Sequence, residues 1–509
     1  MKHDPNTGIM IKVKSRICAD GAGQDPGSYA AISSTTVEPT SIFMVLAVAA
    51  QRRWHIAAFD VKAAYLHADL GEGEPVCIRF SRQLAQAYVK LYPGANSFIG
   101  YDGSMILELH KALYGLKQSA LLFYQLLASN LIEMGMKISV FDRSVAYKDN
   151  LMAGLHVDDI LTIGEKERDL RRFEVDLNGK FRAGVTSHYG DEIKYLGMVI
   201  RQSPDRSSFA VSQPKYIEDL LQQADKFRVE DAEEDNPGAT AALPHTEDMF
   251  QPSSGDSASY LSRAGMIMYL ATRTRPDLLT IAGVLMQRSR APKRSDLQML
   301  RRVESYIRGT KDYVRVIDPK SLVVDACVDA SYAVHPDYKS HTGFMLRVGG
   351  SVVHANSTKQ KLVTTSSTQS ELAALSSVVD RIVWARNWML EKGIAQPVTR
   401  VLQDNQSTMR LAEQGYGTAR ETRHWNVRYF YVKQAIDTKE ITLTYSKSED
   451  MPADALTKPV PRAVFEKFIQ TLGLKVLPAQ AKKASRGRLA SESRGVLEIS
   501  AGKSSRTGS

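Results

Sequence analysis

The chain has 509 residues, which at roughly 150 residues per domain allows about three domains, each with its own core. Apolar residues make up 43% and charged residues 24%, as in soluble globular proteins, so the composition excludes wholesale disorder. The formal net charge of +10 favours a polyanionic partner.

Three features of the sequence bear on where the protein works. The longest apolar run, residues 42–50, is about half as long as a bilayer-spanning helix, so we expect no membrane partner. The N-terminus has no apolar segment of the secretory type. Cys18, Cys77 and Cys327 are far apart in sequence, which excludes a disulfide framework and a paired-cysteine zinc site. We therefore expect an intracellular protein, with the cytoplasm and the nucleus both open.

Strands and helices mix through the first two hundred residues. The elements predicted from periodicity and turn residues are a helix at residues 37–53, a strand at 54–59, a helix at 119–135, and strands at 145–148, 151–157 and 160–164. Asp60 ends the first of these strands. Asp158 and Asp159 form the turn before the last one.

The composition changes around residues 229–242, which are acidic and then rich in glycine, alanine and proline, so we predict a linker there. Beyond it we predict helices at 260–270, 276–288, 296–308, 368–391, after Asp404 and at 424–435, and strands at 322–328, 343–348, 351–356, 398–402 and 441–445. Residues 476–509 carry seven Lys and Arg against two Glu, which predicts a disordered basic tail.

Three aspartates end or connect apolar strands, namely Asp60, Asp158 and Asp159. A carboxylate beside a buried strand costs desolvation unless a positive charge compensates it, and adjacent aspartates repel each other. A hairpin turn in water would tolerate them. Alternatively, carboxylates from two segments can hold a pair of magnesium ions that activate an attacking oxygen and stabilise a leaving one. The residues alone leave both interpretations open.

A second acidic set lies in the last third of the chain and consists of Asp329, Glu371, Asp404 and Asp454. Three of its members also fit helix caps. Glu371 completes a capping box with Thr368, Asp404 precedes a short helix, and Asp454 lies in a first helical turn. Together, four carboxylates at strand ends and helix starts can converge on one point.

Twelve short motifs occur in one order along the chain. The first six are FDVKAAYLHADL (59–70), KALYGLKQSALLFY (111–124), LHVDDILTIG (155–164), YLGMVI (195–200), YLATRTRPD (269–277) and YIRGT (306–310). The last six are VDASYA (328–333), KSHTGFMLRVGG (339–350), TSSTQSELAALS (365–376), LQDNQS (402–407), RHWNVRYFYVK (423–433) and PADALTKP (452–459). The first group resembles the reverse transcriptase of copia-type retrotransposons and the segment that follows it. The second group resembles the ribonuclease H of the same elements.

The resemblance implies an α+β fold with a polymerase palm and fingers, a helical thumb or connection, and a ribonuclease H-like α/β domain. It assigns the fingers and palm to residues 1–228, the linker and helical thumb to 229–318, the ribonuclease H-like domain to 319–473 and the basic tail to 474–509. The chain starts late relative to the family pattern, so we expect the fingers to be truncated.

The resemblance also implies roles for individual residues. The metal-binding aspartates of the family's palm match Asp60, Asp158 and Asp159, and the four ribonuclease H carboxylates match Asp329, Glu371, Asp404 and Asp454. Nucleotide-binding positions match Tyr65, Tyr114, Lys14 and Arg16. On spacing alone, Tyr65 fits a core or surface tyrosine equally well. The implied cofactor is Mg²⁺, two ions per active site, with Mn²⁺ as an alternative. The implied partners are an RNA template, a DNA primer, an RNA–DNA hybrid and dNTPs, and the oligomeric state stays open.

Some positions depart from the family pattern. His156 precedes the paired aspartates where a tyrosine or a similar residue is common, and Ala120 replaces a usual proline. Residues 445–451 contain no histidine, which many ribonucleases H have there, so Lys447 or Glu449 would have to substitute. Three hypotheses follow: a polymerase with active ribonuclease H, a truncated remnant that binds nucleic acid without turnover, or a chain in which only the ribonuclease H is active.

Overall fold

The computed structural model describes residues 2–3, 10–12, 16–29, 31–71, 75–182, 184–226, 236–238, 254–415 and 423–477. Two units are distinguished by their internal contacts: the first holds Met1–Ser41 and His55–Tyr189, and the second holds Ile42–Trp54 and Gly190–Ser509. Lys14, most of the predicted linker and the basic tail beyond residue 477 lie outside the described residues.

The first unit is built on a six-stranded antiparallel sheet. Its helices are α1 (Pro39–Arg52), which continues into residues of the second unit, α2 (Arg82–Leu91), α3 (Ser119–Glu133) and α4 (Glu167–Lys180). Its strands are β1 (Lys2–His3), β2 (Met10–Lys12), β3 (His55–Val61), β4 (Cys77–Phe80), β5 (Met105–Glu108), β6 (Lys137–Ile138), β7 (Val145–Lys148), β8 (Leu151–His156), β9 (Asp159–Gly164) and β10 (Val185–Tyr189). The large sheet has the order β10-β3-β9-β8-β7-β6, while β1 pairs with β2 and β4 with β5.

Helices α3 and α4 share one apolar core with this sheet. Phe123 of α3 and Phe173 of α4 are both buried, because the apolar residues of each helix recur on one side. Phe59 of β3 meets Phe173 edge-on, with ring centroids 5.4 Å apart. This packing holds β3 beside β9, and these two strands carry Asp60 and Asp159.

The second unit contains two five-stranded sheets and most of the helices. Its strands are β11 (Glu192–Tyr195), β12 (Met198–Gln202), β13 (Phe209–Ser212), β14 (Tyr313–Ile317), β15 (Val324–Ser331), β16 (His341–Val348), β17 (Ser351–Lys359), β18 (Thr399–Gln403), β19 (Ile441–Tyr445) and β20 (Leu474–Val476). Its further helices are α5 (Pro214–Asp225), α6 (Ser254–Ala271), α7 (Leu279–Gln287), α8 (Arg294–Gly309), α9 (Ser367–Glu391), α10 (Gln406–Gln414), α11 (Arg423–Asp437) and α12 (Arg462–Thr471). None of the described helices is both long and apolar enough to cross a bilayer.

One sheet of the second unit has the order β17-β16-β15-β18-β19. Strands β15, β16 and β17 pair antiparallel, whereas β18 is parallel to both β15 and β19. Parallel neighbours need crossover connections, and α9, α10 and α11 supply them. The sequence expectation of an α+β fold that ends in an α/β region is confirmed.

The other sheet has the order β11-β12-β13-β14-β20 and joins distant parts of the chain. Leu474–Val476 forms β20, so the predicted start of the disordered tail at residue 474 is wrong. Residues 190–226 group with the second unit, although the sequence assigned residues up to 228 to the first domain. The remaining predicted boundaries stay predictions.

Helices α6, α7 and α8 are here called the helical module. Two of the sequence motifs that pointed to the family, YLATRTRPD and YIRGT, lie in this region: the first runs from the end of α6 toward α7, and the second ends α8. Arg275 and Asp277 form an ion pair of 2.7 Å with side chains that are 1% and 0% exposed. The Tyr306 hydroxyl donates to the same Asp277 carboxylate at 2.9 Å, and the Arg275 guanidinium donates to Thr310 Oγ1 at 2.7 Å. These long-range contacts tie the two motifs together in the core of the module.

We predict that Asp277→Ala lowers the free energy of unfolding by about 3 kcal/mol, because it leaves the buried Arg275 guanidinium without a counter-charge. Asp219→Ala is the matched control, since its pair with Lys215 has the same 2.7 Å distance but lies on the surface. The control should cost less than about 1 kcal/mol. Urea unfolding followed by circular dichroism measures both, and equal costs would contradict the prediction.

Candidate active sites

The first candidate site lies where β3 and β9 end. Asp60 and Asp159 are directly opposed Cα partners in the antiparallel ladder, so their side chains lie on the same face of the sheet. The Val61 amide donates to the Asp158 carbonyl at 3.0 Å, and the turn is closed by Val157 in a left-handed conformation with φ of 56°. The structure therefore brings together the three aspartates that the sequence predicted.

Burial and mutual repulsion raise the pKa of two carboxyls of this cluster. For Asp158, burial is the larger cause and the charge of Asp60 adds to it. Burial, followed by the charges of Asp158 and Asp60, raises the pKa of Asp159 to about 6. Among the described residues, Arg16 and His156 offset part of this effect at Asp158, and His188 offsets part of it at Asp159.

Three of the predicted nucleotide-binding residues lie beside the aspartates. The rings of Tyr65 and Tyr114 are 4.8 Å apart, and the Arg16 guanidinium lies 5.2 Å from the centroid of the Tyr114 ring. Burial and then the charge of Asp158 raise the pKa of both tyrosines. A cation and two aromatic rings therefore border the carboxylates, which is a surface suited to a triphosphate and a base or ribose. Lys14, the fourth predicted residue, lies outside the described residues.

The turn that carries Tyr114 is held by an N-terminal segment that sequence reasoning did not connect with it. The Ala19 amide donates to the Tyr114 carbonyl at 2.7 Å, and the Gln24 side chain donates to Gln118 Oε1 at 2.7 Å. Gly115 has φ of 95°, and a Cβ on it would lie 2.0 Å from the Ala19 carbonyl oxygen. Only glycine permits this approach, which places Arg16 next to Tyr114.

The second candidate site gathers carboxylates from four elements of the second unit. Asp329 lies on β15, Glu371 on α9, Asp404 directly after β18, and Asp454 at the start of the 3-10 turn Asp454–Leu456. Oxygens of Asp329, Glu371 and Asp404 all lie within 4.8 Å of one another. Within the described part of the chain, no other group of three or more metal-ligating side chains is as tight, so the aspartates of the first site are more widely spaced.

Two of the cap interpretations are wrong. The N-cap of α9 is Ser366, whose hydroxyl accepts from the Gln369 amide, while Glu371 accepts from the Ala330 amide of β15 at 3.1 Å. The N-cap of α10 is Asn405 rather than Asp404. Asp454 does lie in a first helical turn, but its carboxylate is bound to the Lys458 ammonium at 2.5 Å. Glu371 and Asp404 are thus directed away from capping and toward Asp329.

Two carboxyls of the second site have raised pKa values, chiefly because they are deeply buried and then because of the neighbouring charges. Asp329 and Glu371 are each 5% exposed. Burial, and then the charges of Asp404 and Asp454, raise the pKa of Asp329 to about 7. Burial and the charges of Asp329 and Asp404 raise the pKa of Glu371 well above its ordinary value. Asp454 therefore acts electrostatically on Asp329.

Four polar residues that the sequence analysis missed orient these carboxylates. Thr457 donates to Asp329 at 3.0 Å and Gln403 donates to Glu371 at 3.3 Å. Ser448 donates to Asp404 at 2.7 Å, and Lys458 pairs with Asp454. Of these, Gln403 directly precedes Asp404 and Ser448 lies between Lys447 and Glu449, while Thr457 and Lys458 lie in the motif that contains Asp454. Their positions in the motifs do not show which carboxylate each of them contacts.

The predicted substitutes for the absent loop histidine pair with each other at the protein surface. Lys447 and Glu449 are 3.7 Å from each other, with side chains 70% and 72% exposed. The residue between them, Ser448, is the one that bonds to Asp404. The segment therefore reaches the site through a hydroxyl rather than through a charged side chain.

The donor set of each site suits a hard divalent cation, since Mg²⁺ binds carboxylate oxygens and keeps several waters. Burial and the neighbouring carboxylates raise the pKa of Asp329 and that of Asp159, and the donors and cations around these two groups offset this only in part. A cation placed among them would remove that unfavourable interaction and lower these pKa values. Both donor sets therefore suit a metal in their chemistry, and among the described residues Asp329, Glu371 and Asp404 also have the spacing of a metal site.

Known proteins are similar to this chain over most of its length. Residues 1–233 match the family model described as reverse transcriptase (RNA-dependent DNA polymerase). The chain is 27% identical to the retrovirus-related Pol polyprotein from transposon TNT 1-94 of Nicotiana tabacum, over 91% of this chain and 34% of that protein. It is 29% identical to the corresponding polyprotein from transposon RE1 of Arabidopsis thaliana, over 92% of this chain and 31% of that protein. The chain thus spans about a third of the length of these relatives.

Among solved structures, the foamy viral protease-reverse transcriptase in complex with an RNA/DNA hybrid is similar with a TM-score of 0.47 and 9% identity, over 82% of this chain and 46% of that chain. The family match defines the N-terminal part as reverse transcriptase-like. More particularly, the expected resemblance to the reverse transcriptase of copia-type retrotransposons is confirmed by the family match and the Pol polyprotein relatives.

We predict that the second site destabilises the metal-free protein as the pH rises. The folded-state pKa of Asp329 is about 7, above its unfolded value of 3.8, so its contribution is favourable below about pH 4 and is lost as the pH rises through 7. The pKa of Glu371 is raised as well, so its contribution to stability changes with pH in the same direction. The charged groups that face Asp329 are Glu371, Asp404, Asp454 and Lys458.

Asp329→Asn should therefore gain stability over the native chain between pH 5.5 and pH 8 in EDTA, by at least about 1 kcal/mol. Thermal unfolding at the two pH values measures this difference. Saturating Mg²⁺ should raise the native melting temperature more at pH 8 than at pH 5.5, where protons compete for the carboxylates. A native-to-variant difference that does not change with pH would contradict the prediction.

Proposed function

We propose that the chain is an RNA-directed DNA polymerase with a second, ribonuclease H-type site. Its first site would extend a DNA primer with dNTPs on an RNA or DNA template, and its second would hydrolyse the RNA strand of an RNA–DNA hybrid. One observation supports both assignments most strongly: the seven carboxylates that match the family's motifs gather into two clusters, each within one unit. The net charge of +10 suits polyanionic substrates.

At the first site, the side chains around the aspartates suit nucleotide binding. Arg16 would contact the triphosphate of the incoming dNTP, because this residue is exposed and its positive charge acts on the Asp158 carboxyl, where it lowers the pKa against the effect of burial. Tyr114 and Tyr65 would bound the ribose and base, with the Gly115 turn keeping Tyr114 close to Arg16. These contacts would align the primer 3′-hydroxyl with the α-phosphate, which is the main protein contribution to phosphoryl transfer.

At the second site, the protein would orient carboxylates rather than supply a nucleophile. Thr457, Gln403 and Ser448 fix one oxygen each of Asp329, Glu371 and Asp404, so these groups lose little freedom on binding substrate. Mg²⁺ or Mn²⁺ held by either cluster would supply the positive charge that lowers the pKa of an attacking hydroxyl or water and stabilises the leaving oxygen. The 2′-hydroxyl and the groove shape of the hybrid would distinguish the RNA strand.

The proposal predicts that two substitutions separate the two activities. Asp158→Asn should reduce dNTP incorporation on a primed RNA template by at least about 100-fold, because a charge that positions the reacting phosphate is lost. The same variant should leave cleavage of a labelled RNA–DNA hybrid within about twofold of the native rate. Asp329→Asn should give the opposite pattern.

Asp219→Asn, an exposed surface substitution, serves as the control and should leave both activities unchanged. If native protein binds primed template with steep salt dependence but forms no product with Mg²⁺ or Mn²⁺, the chain is a nucleic-acid binder without turnover and the proposal fails. Equal incorporation by native protein and Asp158→Asn would discard the polymerase assignment.

A further inference from the structure

We propose that the helical module is a positioning element of the second site: through Thr280 of α7 it holds the 3-10 turn that carries Asp454 in place among the other carboxylates. The inference rests on the proposed ribonuclease H-type function for its catalytic consequence. Its structural part, the dependence of the Asp454 turn on the helical module, can be tested without any activity.

Thr280 makes the most direct contact between the module and the turn. Its side-chain hydroxyl donates to the Ala455 carbonyl at 2.8 Å, and Ala455 directly follows Asp454. Thr280 is 8% exposed, so water replaces this bond poorly and the carbonyl would otherwise lack a buried partner. Ser357 of β17 donates to Thr280 Oγ1 at 3.4 Å, which orients the hydroxyl.

Apolar packing around the turn is shared with the module. Met451, Ala453, Ala455 and Leu456 are buried in one hydrophobic cluster together with residues of α6, α7 and α8, such as Ile267, Leu285 and Ile307. Tyr306 of α8 meets Phe465 of α12 edge-on with ring centroids 5.9 Å apart. The core beneath the Asp454 turn is therefore not separable from the core of the helical module.

A short segment from the linker region gives the turn a second support. The Asn236 side-chain amide donates to the Val460 carbonyl at 3.0 Å, and the Arg302 guanidinium of α8 donates to the Asn236 carbonyl at 3.1 Å. A Cβ on Gly238 would lie 3.4 Å from the Pro459 side chain, so this segment packs closely on the chain that leaves the turn. The turn itself thus contacts α7, and the chain that follows it is connected to α8 through Asn236.

On its other side, the turn packs so closely against β16 that a side chain at Gly343 would not fit between them. A Cβ on Gly343 would lie 2.6 Å from the Ala453 carbonyl oxygen and 2.9 Å from the Leu456 Cβ. Gly343 is the Cα partner of Asp329, so it sets how near the turn comes to the first carboxylate. The turn is therefore seated between β16 on one side and α7 on the other.

Asp454 depends on the helical module more directly than the other members of the cluster do. Asp329, Glu371 and Asp404 lie on β15, on α9 and after β18, which are joined to one another by strand pairing and by hydrogen bonds to Glu371. A shift of the turn would therefore move Asp454, and it would also disturb the hydrogen bond from Thr457, the residue after the turn, to Asp329. Misplacement of a reacting group by about 1 Å can cost about 100-fold in rate, while substrate affinity depends on contacts spread over a larger surface.

The test compares Thr280→Val with Thr280→Ser in the full chain. Valine keeps the shape and removes the hydroxyl, whereas serine restores it. With an RNA–DNA hybrid and Mg²⁺, we expect Thr280→Val to lower kcat by at least about fivefold with KM within twofold, and Thr280→Ser to retain most of the native kcat. Incorporation of dNTPs by the same preparations is the internal reference and should stay within twofold.

Hydrogen exchange of the peptide that covers residues 451–460 provides a readout that needs no turnover. We expect faster amide exchange there in Thr280→Val than in the native chain and in Thr280→Ser, with no change in peptides of β15. Faster exchange in a chain that cleaves no hybrid would support the positioning role and discard the proposed function. Native exchange in Thr280→Val, or losses of equal size in hybrid cleavage and dNTP incorporation, would overturn the inference.

Discussion

Repulsion between carboxylates is the constraint on which both candidate sites depend. Each site removes several aspartates or glutamates from full contact with water and sets them close to one another, which raises the pKa of Asp159 to about 6 and that of Asp329 to about 7. Such an arrangement costs folding free energy unless a cation or a proton compensates it. A scaffold that keeps it must therefore be rigid, and both units meet this requirement through paired strands and shared apolar cores.

The two sites reach this arrangement by different routes. In the first, the ladder of β3 and β9 sets Asp60 opposite Asp159, and the tight turn at Val157 adds Asp158. Strand register and one local turn therefore place all three. In the second, four separate elements contribute one carboxylate each, and hydrogen bonds from side chains far along the chain orient them. The second site is tighter and more buried, and its geometry depends on more of the chain.

The sequence predicted much of the fold and the membership of both clusters, but not the bonds that orient them. The strands 145–148 and 441–445 are confirmed with the predicted bounds, because each is an apolar run closed by turn residues. The cap interpretation of Glu371 is wrong because α9 begins after Ser366, which moves Glu371 out of the capping position. Thr280 meets Ala455 across 175 residues, and no local periodicity can reveal a contact of that separation. The short strands β11 to β14 were also missed. β11, β12 and β13 form consecutive hairpins, but each has only four or five residues, too few for a clear alternation. β14 pairs with β13 and β20, which are both distant from it in sequence.

Direct counting of bound Mn²⁺ by electron paramagnetic resonance tests most sharply whether these acidic clusters hold divalent cations. The account predicts that the full chain binds Mn²⁺ in two classes of site, that Asp60→Asn weakens one class, and that Glu371→Gln weakens the other. Mg²⁺ should compete for both. Native protein that binds no Mn²⁺ at millimolar concentrations, or binding that neither substitution alters, would contradict it.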